Sequence, residues 1–200
     1  MILEAADYLG IAAFAASGFY VGKRSGLDWL GIYIVAFLTA LGGGVVRDVI
    51  RGTPPLAFSQ SAPILIVLLV TTALLLSRRF AHHDIDSKPL FVLIDAVGMV
   101  AFAISGALFG LKAGFNPAGV AILAFTTAVG GGIFRDILIN KIPYVLHGGF
   151  YGIIALLIGL AVWILDALHL INTLTLLILF GSGITLRMFA WRQNWHLPKG

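Results

Sequence analysis

The sequence predicts an all-α integral membrane protein. Seven transmembrane helices are expected: two inverted three-helix repeats plus a seventh helix, with the second and fifth helices kinked at glycine triplets. Two observations carry this. The first is composition. Of 200 residues, 60% are hydrophobic and 11% are charged, and mean hydropathy is +1.01. A soluble domain is about a quarter charged, so this chain holds more apolar surface than one core can hide. The second is a recurrence. "LTALGGGVVRDVI", Leu38 to Ile50, returns as "TTAVGGGIFRDIL", Thr126 to Leu138.

A span needs about 20 mostly apolar residues, and seven segments meet that length. The first runs from Ala5 to Gly22, behind an acidic N-terminus, "MILEAADYLG". Without a basic start it does not read as a cleaved signal peptide. The second, Trp29 to Ile50, is interrupted by Gly42, Gly43 and Gly44. The third, Leu56 to Ser77, carries Pro63 in its first turns. The fourth runs from Leu90 to Leu111. The fifth, Pro117 to Ile139, is interrupted by Gly130, Gly131 and Gly132. The sixth runs from Tyr144 to Leu165 and the seventh from Leu168 to Leu186. Connections are short, so residues 1–200 form one membrane domain. Repeat 1 covers about 5–78, repeat 2 about 90–166, and the seventh helix about 168–188.

Charge gives the orientation. Lys23, Arg24, Arg78, Arg79, Lys88, Lys141, Arg187, Arg192 and Lys199 fall on one side, and Lys112 and Arg51 on the other. Basic loops face the cytoplasm. The expectation is a multi-pass protein of the prokaryotic inner (plasma) membrane, N-terminus outside and C-terminus cytoplasmic. The net charge of +4 is then a property of loops and not a sign of nucleic acid. Trp29, Trp163, Trp191 and Trp195 lie near helix ends, as interfacial aromatics do. No cysteine is present, which removes disulfides and thiolate chemistry.

The repeat has an offset of 88 residues, from Gly42 to Gly130. Between residues 7–55 and 95–143, 21 of 49 positions are identical. Asp7 maps to Asp95, Ser17 to Ser105, Thr39 to Thr127, Arg47 to Arg135 and Asp48 to Asp136. Each copy holds three spans. An odd number reverses the second copy, which makes the halves inverted. Inverted repeats with broken helices build a substrate or ion path at their interface.

Two readings of the triplets stand side by side. Small residues let helices approach closely. Alternatively the helix kinks or unwinds, and the carbonyls of Thr39, Ala40 and Leu41, mirrored by Thr127, Ala128 and Val129, turn towards a polar path. Arg47 lies about 27 Å along its helix from Trp29 at 1.5 Å per residue, near the outer interface. It is either a snorkelling arginine or, with Asp48, a gate mirrored by Arg135 and Asp136. Adjacent residues on a helix do not face one another, so each pair is expected to bond elsewhere. Asp7 and Asp95 either complement helix dipoles or pair with an arginine of the other half. Ser17 and Ser105 either line a path or bond back to their own helices.

Chemistry beyond transport is not indicated. His82, His83, Asp84 and Asp86 read as a solvated loop before a metal site. His147, His169 and His196 lack ligand spacing. GGGxxRD has neither the Lys-Ser/Thr nor the preceding strand of a phosphate loop. No paired catalytic groups occur, so an enzyme is not expected.

The doubled GGGxxRD on the second and fifth spans resembles the prokaryotic relatives of the trimeric intracellular cation (TRIC) channels, a group also named as glycine transporters. The resemblance covers both repeats. It implies a homotrimer with a pore inside each protomer, between the inverted bundles, passing monovalent cations and chiefly potassium. It places the kinks at Gly42, Gly43, Gly44, Gly130, Gly131 and Gly132. Arg47-Asp48 stands where the animal members carry a basic lipid-binding motif, so phosphoinositide regulation is not transferred. The expected function is a potassium-permeable channel, with Ser17, Thr39, Ser105 and Thr127 lining the path. Arg47, Asp48, Arg135, Asp136, Asp7 and Asp95 would gate it. The expected partners are the lipid bilayer and small inorganic cations, with potassium or sodium as permeant ion and no cofactor. The alternative is a secondary transporter for a small zwitterion such as glycine.

Overall fold

The computed structural model describes residues 2–77, 88–146, 150–195 and 197. All regular structure among them is helical. The helices are α1 (Ile2–Arg24), α2 (Trp29–Ile50), α3 (Leu56–Ser59), α4 (Ser61–Leu76), α5 (Lys88–Lys112), α6 (Pro117–Leu138), α7 (Tyr151–Ala167) and α8 (Thr173–Arg192), with a 3-10 turn at Tyr144–Leu146. Four of them, α2, α5, α6 and α8, are long and apolar enough to cross a membrane, while α4 and α7 are shorter apolar helices.

Helix ends repeat as the sequence does. Asp28 caps α2 by accepting from Gly31 N at 2.7 Å. Its counterpart Asn116 caps α6 through Gly119 N at 2.8 Å. Both helices are left through a left-handed residue, Gly52 (φ 69°) and Asn140 (φ 55°), the residue types that tolerate it.

The third expected span is split. Gln60 is extended between α3 and α4, because Pro63 has no N–H for the Ser59 carbonyl and its ring crowds that oxygen. The seventh span starts later than Leu168. His169 takes a positive φ of 55°, which ends α7, and Asn172 opens α8 with a capping box to Thr175.

The two copies pack head to tail. Phe14 of α1 meets Phe102 of α5 edge-on at 5.2 Å. Each ring also covers a glycine of the other helix, Phe14 over Gly98 and Phe102 over Gly10. Ser17 reaches Asp95 and Ser105 reaches Asp7, so α1 and α5 are antiparallel. Likewise α2 and α6 cross antiparallel. Outside this four-helix centre, α4 packs on α1, α7 on α5 and α6, and α8 on α5 and α7. The exterior is apolar, with Leu69, Leu76, Leu174 and Ile178 exposed. A bilayer is the solvent that suits that surface.

Candidate functional site: mirrored arginine clusters and a basic cavity

The triplets lie where α2 crosses α6. A Cβ on Gly43 would overlap the carbonyl oxygen of Thr127, and one on Gly131 would overlap that of Thr39. Side chains are excluded because backbone touches backbone. Gly42 is covered by Phe134, while Gly130 faces the Gly43 backbone. Gly44 and Gly132 are different. Each has room for a Cβ, which would meet only the guanidinium of Arg47 or Arg135, at 3.7 Å and 3.8 Å.

The expected unwinding does not occur. Both α2 and α6 run as continuous helices through their triplets. The contact of one backbone with another offsets the propensity lost at glycine, so the carbonyls stay within the helices. Thr39 and Thr127 are fully buried and bond back to Val35 O and Leu123 O, each at 2.6 Å.

A charged cluster closes each end of the crossing. At one end Arg47 is only 1% exposed, which removes the snorkelling reading. Arg47 Nη1 donates to Asp7 Oδ1 and to Ser105 Oγ at 3.1 Å. Ser105 in turn donates to Asp7 at 2.8 Å. At the other end Arg135 Nη1 donates to Asp95 Oδ1 at 3.0 Å and to Ser17 Oγ at 2.8 Å, and Ser17 donates to Asp95 at 3.1 Å. Each aspartate therefore pairs with the arginine of its own half, and the serine joins the halves. Of the two readings of these aspartates, pairing with an arginine of the other half is not what occurs. The same contacts also show that the serines do not bond to their own helices.

The Arg-Asp neighbours do bond to each other. Arg47 Nε meets Asp48 Oδ1 at 2.9 Å and Nη2 meets Oδ2 at 3.1 Å. Arg135 Nε meets Asp136 Oδ1 at 2.9 Å. Cβ spacing on a helix did not foresee this, because the long arginine stem curls back and its fork grips a carboxylate on two edges. Each of these aspartates also accepts a backbone N–H, from Leu56 at 3.0 Å and from Tyr144 at 2.8 Å. Leu56 and Tyr144 are themselves 88 apart.

The ends differ in what covers them. Phe109 lies over both Arg47 and Arg51, its ring centre 4.0 Å and 4.3 Å from their guanidinium carbons. Arg51 also reaches Asp48 at 3.2 Å. What remains beside Arg47 is a space of about 10 Å³, room for no more than a single water. The repeat-related positions to Phe109 and Arg51 are Val21 and Ile139, and a cavity of about 600 Å³ opens beside Arg135. Its wall includes Val21, Ile139, Tyr144 and, from α8, Arg187 and Trp191.

Phe109, Tyr144 and Tyr151 were not singled out in the sequence. Arg51 and Arg187 entered there only as loop charges. Phe109 and Arg51 lie at two of the 28 positions where the copies differ, so the repeat alone did not mark them. Arg187 lies beyond the repeat and had no signal. The loop residues His82, His83, Asp84 and Asp86, with Arg78 and Arg79, lie outside the described residues, as do His147 and His196. Among the described residues no group of three or more His, Cys, Asp and Glu could hold a metal ion.

The sequence pattern of a family described as glycine transporter matches the chain twice, over residues 4–79 and 92–167. A membrane protein of Bacillus subtilis, YvgT, is 37% identical over 99% of this chain and 96% of its own. A solved TRIC cation channel is 34% identical, with a TM-score of 0.84 over 100% of this chain and 98% of that one. The chain belongs to the prokaryotic TRIC family. The TRIC orthologue of Rhodobacter sphaeroides, at 29% identity, superposes with a TM-score of 0.88 over 96% of this chain and 98% of that one. In this TRIC-family chain the doubled motif lies at the helix crossing and in the two clusters that bound it.

Proposed function

We propose that the chain is a passive, potassium-permeable cation channel of the inner membrane. In this reading it is a homotrimer with one path in each protomer, running between two inverted repeats inside a single membrane domain. Seven helices span the bilayer, α3 and α4 together supplying the third span, and α8 is added outside the repeats. The N-terminus lies outside and the C-terminus in the cytoplasm. The observation that carries the reading is the mirrored pair of Arg–Asp–Ser clusters at the two ends of one glycine crossing. Such a device has a path axis and two mouths. The likeness to solved TRIC cation channels supports the same reading.

In this reading the channel is closed. The outer mouth is covered by Phe109 and Arg51, and the crossing is packed backbone to backbone. Conduction requires α2 and α6 to bend or separate at Gly42–Gly44 and Gly130–Gly132. That motion brings Thr39, Thr127, Ser17 and Ser105 to the path. Helix hydroxyls and carbonyls without an acidic ring discriminate weakly among monovalent cations.

Recording purified protein in planar bilayers tests this. Single-channel currents carried by potassium are expected, with reversal potentials under bi-ionic conditions that exclude chloride. Absence of such currents, together with saturable, gradient-coupled uptake of glycine into liposomes, would overturn it in favour of a secondary transporter.

A further inference from the structure

The 600 Å³ cavity has the size of a small-ligand site and an unbalanced charge. Arg24, Arg135, Lys141 and Arg187 line it, against Asp95 and Asp136. Both acids are taken up by Arg135, itself a lining residue. Asp95 Oδ1 takes Arg135 and Ser17, and Asp136 takes Arg135 and the Tyr144 amide.

Arg187 is the odd member. It is 3% exposed, yet among the described residues no carboxylate lies within 4.0 Å of it. Its guanidinium makes one hydrogen bond, from Nη2 to Tyr144 Oη at 3.0 Å, and its Nε is buried without a partner. The faces of Tyr144 and Tyr151 hold it at 5.3 Å and 5.0 Å. The contrast with Arg47 and Arg135 is direct, since each of those binds two carboxylates. A buried cation held by ring faces, with donors to spare, is a costly arrangement unless a counter-charge arrives.

We propose that this cavity is an oxyanion site in which Arg187 holds a carboxylate or phosphate group, with Lys141 adding charge at the rim. A guanidinium edge matches two oxygens of such a group. The site rests on the cavity geometry. Its consequence rests on the channel reading: an anion there lowers the barrier that Arg187 and Lys141 raise against potassium at this mouth.

The test follows thermal unfolding of the purified full chain in an uncharged detergent. Inorganic phosphate is titrated against chloride at fixed ionic strength. A saturable rise in Tm with phosphate is expected. R187Q should abolish it, and R187K, which keeps charge but loses the fork, should raise the half-saturating concentration about tenfold. A parent protein indifferent to phosphate, or an R187Q protein that responds as the parent does, would overturn the site. If R187Q does not fold, R187K and K141Q decide the matter by the same readout. Nanodiscs separate the sources. A phosphate response seen in phosphatidylcholine and lost in phosphatidylglycerol assigns the occupant to a lipid headgroup. One equal in both assigns it to a soluble anion, and either supports the site. Because binding is read without current, its failure and the failure of the channel reading remain distinct.

Discussion

At the scale of single residues, the same three glycine letters do different work. Gly43 and Gly131 are sterically obligatory, whereas Gly44 and Gly132 have space. Gly43→Ala should therefore destabilise the protein by about 3 kcal/mol, the upper part of the overpacking range, because the obstructing atom is a backbone oxygen. Gly44→Ala should stabilise it by up to about 1 kcal/mol through helix propensity. Thermal unfolding in detergent measures both. A stable G43A protein would mean that the crossing is looser than described. A stable G44A protein with reduced current would mark that position as a hinge. The clusters give a second contrast. Asp7→Asn leaves Arg47 buried with one carboxylate fewer and should cost about 3–5 kcal/mol. Ser105→Ala removes one hydroxyl from the same network and should cost about 1 kcal/mol. Equal effects of the two substitutions would contradict the ion pair as the principal tie.

At the scale of elements, the internal repeat is a built-in comparison between two copies of one design. Phe109 and Arg51 cover one arginine cluster, whereas at its counterpart Val21 and Ile139 line the cavity and Phe91 lies over the arginine at 5.6 Å. Replacing Phe109 by valine, the residue of the other copy, removes two cation–π contacts worth about 1 kcal/mol each. If closure depends on one of them, the open-to-closed ratio should rise about fivefold, read as open probability in single-channel records. An unchanged open probability would show that Phe109 is packing and not a plug. The repeat also explains what was legible from sequence. Helix order and the in-register Asp, Ser, Thr and Arg-Asp positions followed from the 88-residue offset. The break at Gln60 is what Pro63 dictates once its place is counted, seven residues into the expected span and past the first turn. The register of α1 against α5 was not legible, since it depends on Phe14 and Phe102 seating on glycines of the opposite helix. Without it, Ser17 could not be matched to Asp95. Glycine runs signal either flexibility or contact, and here contact with the partner backbone accompanies two continuous helices.

At the scale of the whole molecule, the clusters and cavity define two unlike ends. Arg24, Lys141 and Arg187 gather at the end with the cavity. At the opposite end Arg47 and Arg51 are paired with Asp7 and Asp48. Basic residues near the ends of spans hold the cytoplasmic side, so the cavity end should be cytoplasmic. The absence of cysteine makes this directly measurable with single-cysteine variants. Ser25 follows α1 at the cavity end, and Ser59 closes α3 at the other; both are exposed. In intact cells a membrane-impermeant maleimide should label S59C and leave S25C unlabelled until the membrane is opened. The reverse pattern would invert the protein and place the proposed oxyanion site outside the cell. Labelling of both in intact cells would indicate dual insertion. In that case the charge difference between the ends is too small to set direction, and the asymmetry of the mouths would no longer imply a direction of gating.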